Sequence, residues 1–183
     1  MSTTAGTVRR DAVADDRWQA GVAGYGLGLL RIILGVTFLH EAAWKIPPAF
    51  GQPTGDGLWE WTNFAISDPV FPPYTLIVEN VVLPAFPFFG WLVFLGEAAL
   101  GGFLIVGLLT RLFAAIGVLQ SLAIAFSVLN VPGEWSYAYY ILVAGMLAVV
   151  LGGGGRALGL DGVLRPRWST SDSRIARLGL VLS

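Results

Sequence analysis

The sequence predicts an all-α fold. It reads as a polytopic membrane protein with four transmembrane helices in a bundle and a long aromatic-rich outer loop between helices one and two. Three observations carry this. The chain is 55% hydrophobic and only 13% charged, where an ordinary soluble domain holds about 25% charged residues. Apolar stretches of membrane length recur between Pro- and Gly-rich breaks. Lys and Arg collect in the tails and one short link, whereas the intervening loops carry acids. The 24 glycines suit the close approach of helices in lipid.

The elements follow in order. Residues 1–22 form a polar tail, expected to be largely disordered with a short interfacial helix near Trp18. Its charges (Arg9, Arg10, Asp11, Asp15, Asp16, Arg17) and its lack of an apolar stretch are unlike a cleaved signal peptide. Residues 23–164 make the membrane domain. Span one covers about Tyr25–Ile46 and is stopped by Pro47-Pro48. Span two covers about Pro87–Leu109, and span three about Arg111–Leu129, ended by Asn130-Val131-Pro132-Gly133. Each of these has the ~20 residues that cross a ~30 Å hydrocarbon core. Span four, about Tyr137–Leu151, is shorter, and Trp135, Tyr137, Tyr139 and Tyr140 fit an interfacial anchor at its start. In the loop between spans one and two, Leu58–Ile66 and Tyr74–Leu83 are expected as short interfacial helices packing as a lid. Residues 165–183 are a basic tail.

Four spans put both termini on one side. Arg156, Arg165, Arg167, Arg174 and Arg177 follow span four, Arg111 sits between spans two and three, and Arg9, Arg10 and Arg17 precede span one. The opposite loops hold Asp56, Glu60, Asp68, Glu79 and Glu134 with no Lys or Arg. Both termini are therefore expected to be cytoplasmic in a cell membrane.

Composition also sets limits. With no Cys, the chain alone supplies no disulfide, Cys-ligated metal or thiol relay. One His makes a poly-His metal or haem site unexpected. A net charge of −1 argues against a nucleic-acid partner. No covalently bound cofactor and no metal are expected.

The candidate functional residues are the ionisable groups inside apolar segments: Arg31, His40, Glu41, Lys45 and Glu97. A charge at mid-span costs roughly 2.5–3.5 kcal/mol on insertion scales, so such groups normally face a bundle interior or a polar cavity. At 100° per residue, Gly28, Arg31, Gly35, Ala42 and Lys45 share one helix face, with Glu41 at its edge. Small residues at this spacing mark a packing seam. His40 points the opposite way. On span two, Gly90, Glu97 and Gly101 share a face. Glu97 needs a partner or a proton, and Arg31, Lys45 and Arg111 are the candidate partners. Glu41 and Lys45 form an i,i+4 pair in the favourable order. The bland reading of Glu41–Lys45 is a self-neutralising pair near the outer membrane surface with Lys45 snorkelling to water, and that of Glu97 is a bridge to Arg31 or Lys45 that only fixes helix packing. The functional one is a cation meeting an anionic substrate, with a carboxyl that carries protons. Gln120, Ser121, Ser127 and Asn130 read as hydrogen-bonding glue between helices.

Three motifs in order resemble the DoxX/DoxD family of four-helix membrane proteins. The first is Leu30-Arg31-Ile32-Ile33-Leu34-Gly35, then Phe38 and Lys45. The second is Gly96-Glu97-Ala98-Ala99-Leu100-Gly101, then Gly107-Leu108-Leu109-Thr110-Arg111. The third is Gly153-Gly154-Gly155-Arg156, then Gly159-Leu160-Asp161. The similarity covers about Leu29–Leu164. The long loop, with Trp59, Ser67, Asp68 and Pro69, looks closer to the DoxD-like members. Ala42 stands where a Gly is common, and His40-Glu41 add charge before it.

The resemblance implies a link to thiosulfate:quinone oxidoreductase, with a second subunit as partner and a membrane quinone as electron acceptor. Other relatives are linked to oxidative-stress complexes. Two readings follow: a redox subunit whose site is Glu97, Lys45, Arg31 and Glu41, or a non-enzymatic membrane anchor or assembly partner. A solute carrier would need several copies of so small a bundle, and a homo-oligomer is compatible with any of these readings.

Overall fold

The computed structural model describes the backbone of residues 4–183 and the side chains of residues 20–183. It is helical throughout, with no strand among the described residues. Among the described residues eight α-helices run in order: α1 (Thr4–Ala43), α2 (Gly57–Ser67), α3 (Pro72–Ile77), α4 (Phe86–Val106), α5 (Thr110–Val128), α6 (Ser136–Gly152), α7 (Leu160–Ser169) and α8 (Arg174–Leu182), with a π-helical turn at Val78–Val82 after α3.

Among the described residues, three helices are long and apolar enough to cross a membrane: Ala20–Ala43 of α1, Phe86–Val106 and Thr110–Val128. α6 is apolar but shorter, at 17 residues. The breaks between them have local causes. α4 opens with a proline in its first turn and closes on Gly107 at φ 70°, the left-handed geometry that ends helices at low cost for glycine. α6 ends the same way on Gly153 at φ 65°.

The first helix is a correction to the sequence reading. The tail expected to be largely disordered is helical from Thr4 onward and continuous with the span. Ala5, Ala12, Ala14, Ala20 and Ala23 lie in this stretch and the first proline is Pro47. Extending a helix already nucleated by a long span costs far less than starting one. The interfacial contacts expected of Trp18 lie outside the described side chains.

The core sits where α1, α4, α5 and α6 meet. Leu34, Phe38, Leu100, Leu104, Ala114, Met146 and Val149 are buried there, and the Phe103 and Phe113 rings stack at 3.9 Å. α1 and α4 run antiparallel and approach backbone to backbone. A Cβ on Gly35 would stand 3.0 Å from the Gly101 carbonyl oxygen, and one on Gly101 would stand 2.8 Å from that of Gly35. Small residues thus let two helices meet where lipid supplies no hydrophobic drive between them. The outward faces carry Leu29, Ile33, Val36, Leu92, Leu95, Ile116, Leu119, Ile141 and Leu151, all exposed. Apolar outside as well as inside is the pattern of helices solvated by hydrocarbon.

Residues 44–85 fold against one end of the bundle. Phe50, Leu58 and Phe86 are buried together, with Trp44, Trp59, Leu83, Val93 and Phe94 packed on them. The Phe50 ring fills the space left by Gly90, where a Cβ would lie 2.4 Å from it. The far part of this segment is pinned to the C-terminal end of α5. Tyr74 and Ser127 share a hydrogen bond of 3.1 Å, and Asn130 donates to the Pro69 carbonyl at 2.8 Å.

A buried ion pair and a helix-terminus knot

The seam read from the sequence is the one the fold uses. Gly28, Arg31, Gly35, Ala42 and Lys45 are all buried on α1 or just past its end, as are Gly90, Glu97 and Gly101 on α4. His40 is exposed.

Lys45 and Glu97 meet. The ammonium Nζ stands 2.7 Å from Glu97 Oε2, with the two side chains 4% and 0% exposed. The two groups form a buried ion pair at hydrogen-bonding distance. The other oxygen, Oε1, accepts from the Gln120 amide at 3.3 Å. Nζ also donates to the Glu41 carbonyl oxygen at 2.7 Å and lies 3.9 Å from the Glu41 carboxylate. Glu41, 39% exposed, is held by the Trp44 indole N–H at 2.9 Å. Lys45 Nζ stands 4.1 Å from the centre of the Trp44 ring, within the range of a cation–π contact. Trp61 lies beside Trp44, ring centres 5.9 Å apart. One cation thus faces a buried carboxylate and a half-exposed one, under aromatic rings from residues 44–61.

Arg31 belongs elsewhere. It is fully buried, yet it ion-pairs with none of the other candidates. Its guanidinium donates to the carbonyls of Leu104 at 2.7 Å, Ile105 at 3.4 Å and Leu158 at 2.6 Å. The first two are among the last carbonyls of α4, which have no partner inside the helix and carry the negative end of its dipole. Seven residues separate Glu97 from Leu104, about 10 Å of helix rise, and Arg31 lies about 18 Å of helix rise before the end of α1 at Ala43, with Lys45 just beyond it. Of the four proposed site residues, the fold therefore brings together Lys45, Glu97 and Glu41 and leaves Arg31 in a separate cluster.

That cluster contains a residue the sequence reading passed over. Asp161, fully buried, accepts from the backbone N–H of Leu109 at 2.8 Å and of Thr110 at 2.9 Å. It places a negative charge on the opening turn of α5, where the helix dipole is positive. Its own N–H donates to the Gly107 carbonyl at 2.9 Å. The glycines around it leave no room for a side chain: a Cβ on Gly155 would lie 2.2 Å from Thr110 Oγ1, and one on Gly107 would lie 1.9 Å from an Arg31 nitrogen. The motifs Gly107–Arg111, Gly153–Arg156 and Gly159–Asp161 are thus parts of one knot that closes the α4–α5 connection. Gln120 and Trp44 were the other residues that sequence alone did not assign to the pair. Among the described residues no group of His, Cys, Asp and Glu is placed to hold a metal ion.

Neither the curated proteins nor the solved structures yielded a match. The family described as "TQO small subunit DoxD" matches residues 25–181, a range that includes the Lys45–Glu97 pair and the Arg31–Asp161 knot. The chain is an integral membrane protein that belongs to the DoxD family.

Proposed function

We propose that this protein is the membrane subunit of a thiosulfate:quinone type oxidoreductase, and that Lys45, Glu97 and Glu41 form its working site. The observation that supports the reading is the Lys45–Glu97 pair, 2.7 Å apart and almost fully buried. Burying two charges costs several kcal/mol each before their attraction is counted. A structural tie between α1 and α4 already exists at the Gly35–Gly101 crossing.

In this reading the bundle has four spans, α6 being the fourth, and both termini are cytoplasmic. Residues 44–85 form a lid on the outer side. A small sulfur dianion reaches Lys45 beneath Trp44 and Trp61 and competes with Glu97 for the ammonium. Glu97 released in a dry site holds a proton, so anion arrival and proton uptake are coupled by charge neutrality. Glu41, half-exposed at 39%, connects the site to water. The chemistry balances without a protein thiol. Two thiosulfates join through a new S–S bond to give tetrathionate and lose two electrons. A quinone takes those two electrons with two protons to give the quinol. A second subunit completes the complex, as the family's description as a small subunit suggests.

The test is thiosulfate-dependent quinone reduction in membranes carrying Lys45→Ala or Glu97→Gln. Loss of activity with intact, folded protein is expected. Wild-type rates in both variants would refute the site. The second reading, an anchor without chemistry of its own, draws on Arg31 and Asp161. Both spend their charge on helix ends, as structural groups do.

A further inference from the structure

The chain from Leu160 onward folds into a hairpin, α7 and α8, at the Arg31 end of the bundle, and the proposed chemistry makes no use of it. α8 is capped by Ser173, whose hydroxyl accepts from the Ala176 N–H at 3.1 Å. It packs on α7 with Gly179 against the Trp168 ring and touches α5. Arg165 ties the two helices, donating to the Leu180 carbonyl at 2.8 Å and to the Ser183 hydroxyl at 2.6 Å. The hairpin is therefore held in place. Yet α8 turns Ile175, Leu178 and Val181 outward, at 81%, 60% and 68% exposure. Val163 of α7 adds a fourth exposed apolar side chain, at 59%.

Arginines surround this ridge. Arg174 and Arg177 stand on α8 itself. Arg165 has its pKa lowered, first by desolvation and then by the neighbouring charges of Arg156 and Arg111, with Asp161 acting the other way. The cations thus outnumber the acids there, and Asp161 is already committed to α5. The α8–α5 contact puts the ridge beside a membrane span. An apolar ridge flanked by arginines, fixed beside a span, has the make-up of a helix that lies in the plane of an acidic membrane surface.

We infer that the α7–α8 hairpin is a lipid-binding surface, with Ile175, Leu178 and Val181 set among the acyl chains and Arg174 and Arg177 on the headgroups of anionic phospholipids in the leaflet next to the Arg31 end. This does not depend on the proposed redox role. The absence of Cys makes the test direct. Full-length Leu178→Cys and Asp172→Cys proteins, each bearing an environment-sensitive fluorophore, are placed in vesicles of phosphatidylcholine with or without phosphatidylglycerol. With the acidic lipid, the Leu178 label is expected to be quenched by lipid-borne bromine and shielded from aqueous iodide, and the Asp172 label to show the reverse. Lipid quenching at Leu178 should weaken without phosphatidylglycerol and in an Arg174→Gln/Arg177→Gln background. The ratio of lipid-seated to unseated helix should fall about fivefold per arginine lost. Iodide access at Leu178 matching that at Asp172 would overturn the inference. So would a label shielded from both quenchers, which would mean a protein partner or second copy covers the ridge. Equal lipid quenching in both lipid mixtures would overturn the role of the arginines.

Discussion

Replacing Lys45 with Met and Glu97 with Gln, singly and together, separates a working site from a simple bridge. Met keeps most of the lysine stem's volume and removes the charge. Glu97 then loses the ammonium at 2.7 Å and keeps only the Gln120 amide at 3.3 Å, in a position with no solvent exposure. Breaking a buried pair from one side costs about 3–5 kcal/mol. Gln at 97 is less severe, because Lys45 retains the Glu41 carbonyl at 2.7 Å and its carboxylate at 3.9 Å. A cost of about 1–2 kcal/mol is expected, in the range of a charged hydrogen bond. The double variant leaves no unmatched charge and should recover most of the Lys45→Met loss, giving a coupling of about 2 kcal/mol or more. Unfolding of the purified proteins in mixed detergent micelles, followed by circular dichroism, measures all four corners of the cycle. Losses that add to within about 0.5 kcal/mol would show that the two groups do not interact. The double variant also addresses function, since it is stable yet lacks both charges. It should not reduce quinone with thiosulfate, and retained turnover would refute the proposed site.

Four further outcomes are expected. Gly101→Ala should cost about 1–3 kcal/mol through overpacking, since its Cβ would meet the Gly35 carbonyl oxygen at 2.8 Å, whereas Gly102→Ala, with nothing within 4 Å, should be tolerated; thermal unfolding in detergent compares the two. Asp161→Asn should lower stability by about 1–3 kcal/mol in the same assay, since charge leaves the α5 N-terminus and an amide nitrogen, a donor, replaces one of the two oxygens that accept from the Leu109 and Thr110 N–H groups. Trp44→Phe keeps a ring near Lys45 and loses the N–H bond to Glu41 at 2.9 Å, so a loss of about 1 kcal/mol is expected. The Tyr74 hydroxyl, in the segment outside the spans, has its pKa raised from 10.0 by burial, with the Ser127 hydrogen bond acting the other way. The folded state therefore holds that proton more tightly. Its stabilising contribution is complete below pH 10 and lost as pH rises through the folded-state value. Stability measured from pH 9 upward should fall less steeply in Tyr74→Phe.

Periodicity and hydropathy were enough to find the three long spans and the two seams, because burial in a helix pair follows azimuth, and azimuth is fixed by residue number. They placed Gly28, Arg31, Gly35, Ala42 and Lys45 on one face correctly. Depth, which decides among Arg31, Lys45 and Arg111 as partners of Glu97, is not given by azimuth. A shared face does not make a shared site when the residues lie two or more turns apart, and Arg31 was grouped with Glu97 for that reason. Asp161 was seen only as part of a motif, with no role, for a different reason. Its partners are backbone N–H groups some 50 residues earlier, and backbone donors leave no mark in a residue pattern. The N-terminal helix was missed because charge density was read as disorder, when the alanines and the absence of proline favoured continuation.

The knot at the α4–α5 connection has a consequence for how the protein is made. Its two halves come from distant parts of the chain: Arg31 from the first span, and Leu158 and Asp161 from beyond the last apolar helix. Arg31, α4 and α5 all precede residue 161 in the chain, so they are synthesised before the acceptor of the first α5 amides exists. Those amides find their acceptor only after residue 161 has left the ribosome. The bundle is thus latched by the segment translated after its spans, and a chain halted before that point lacks the acceptor that seals the start of α5.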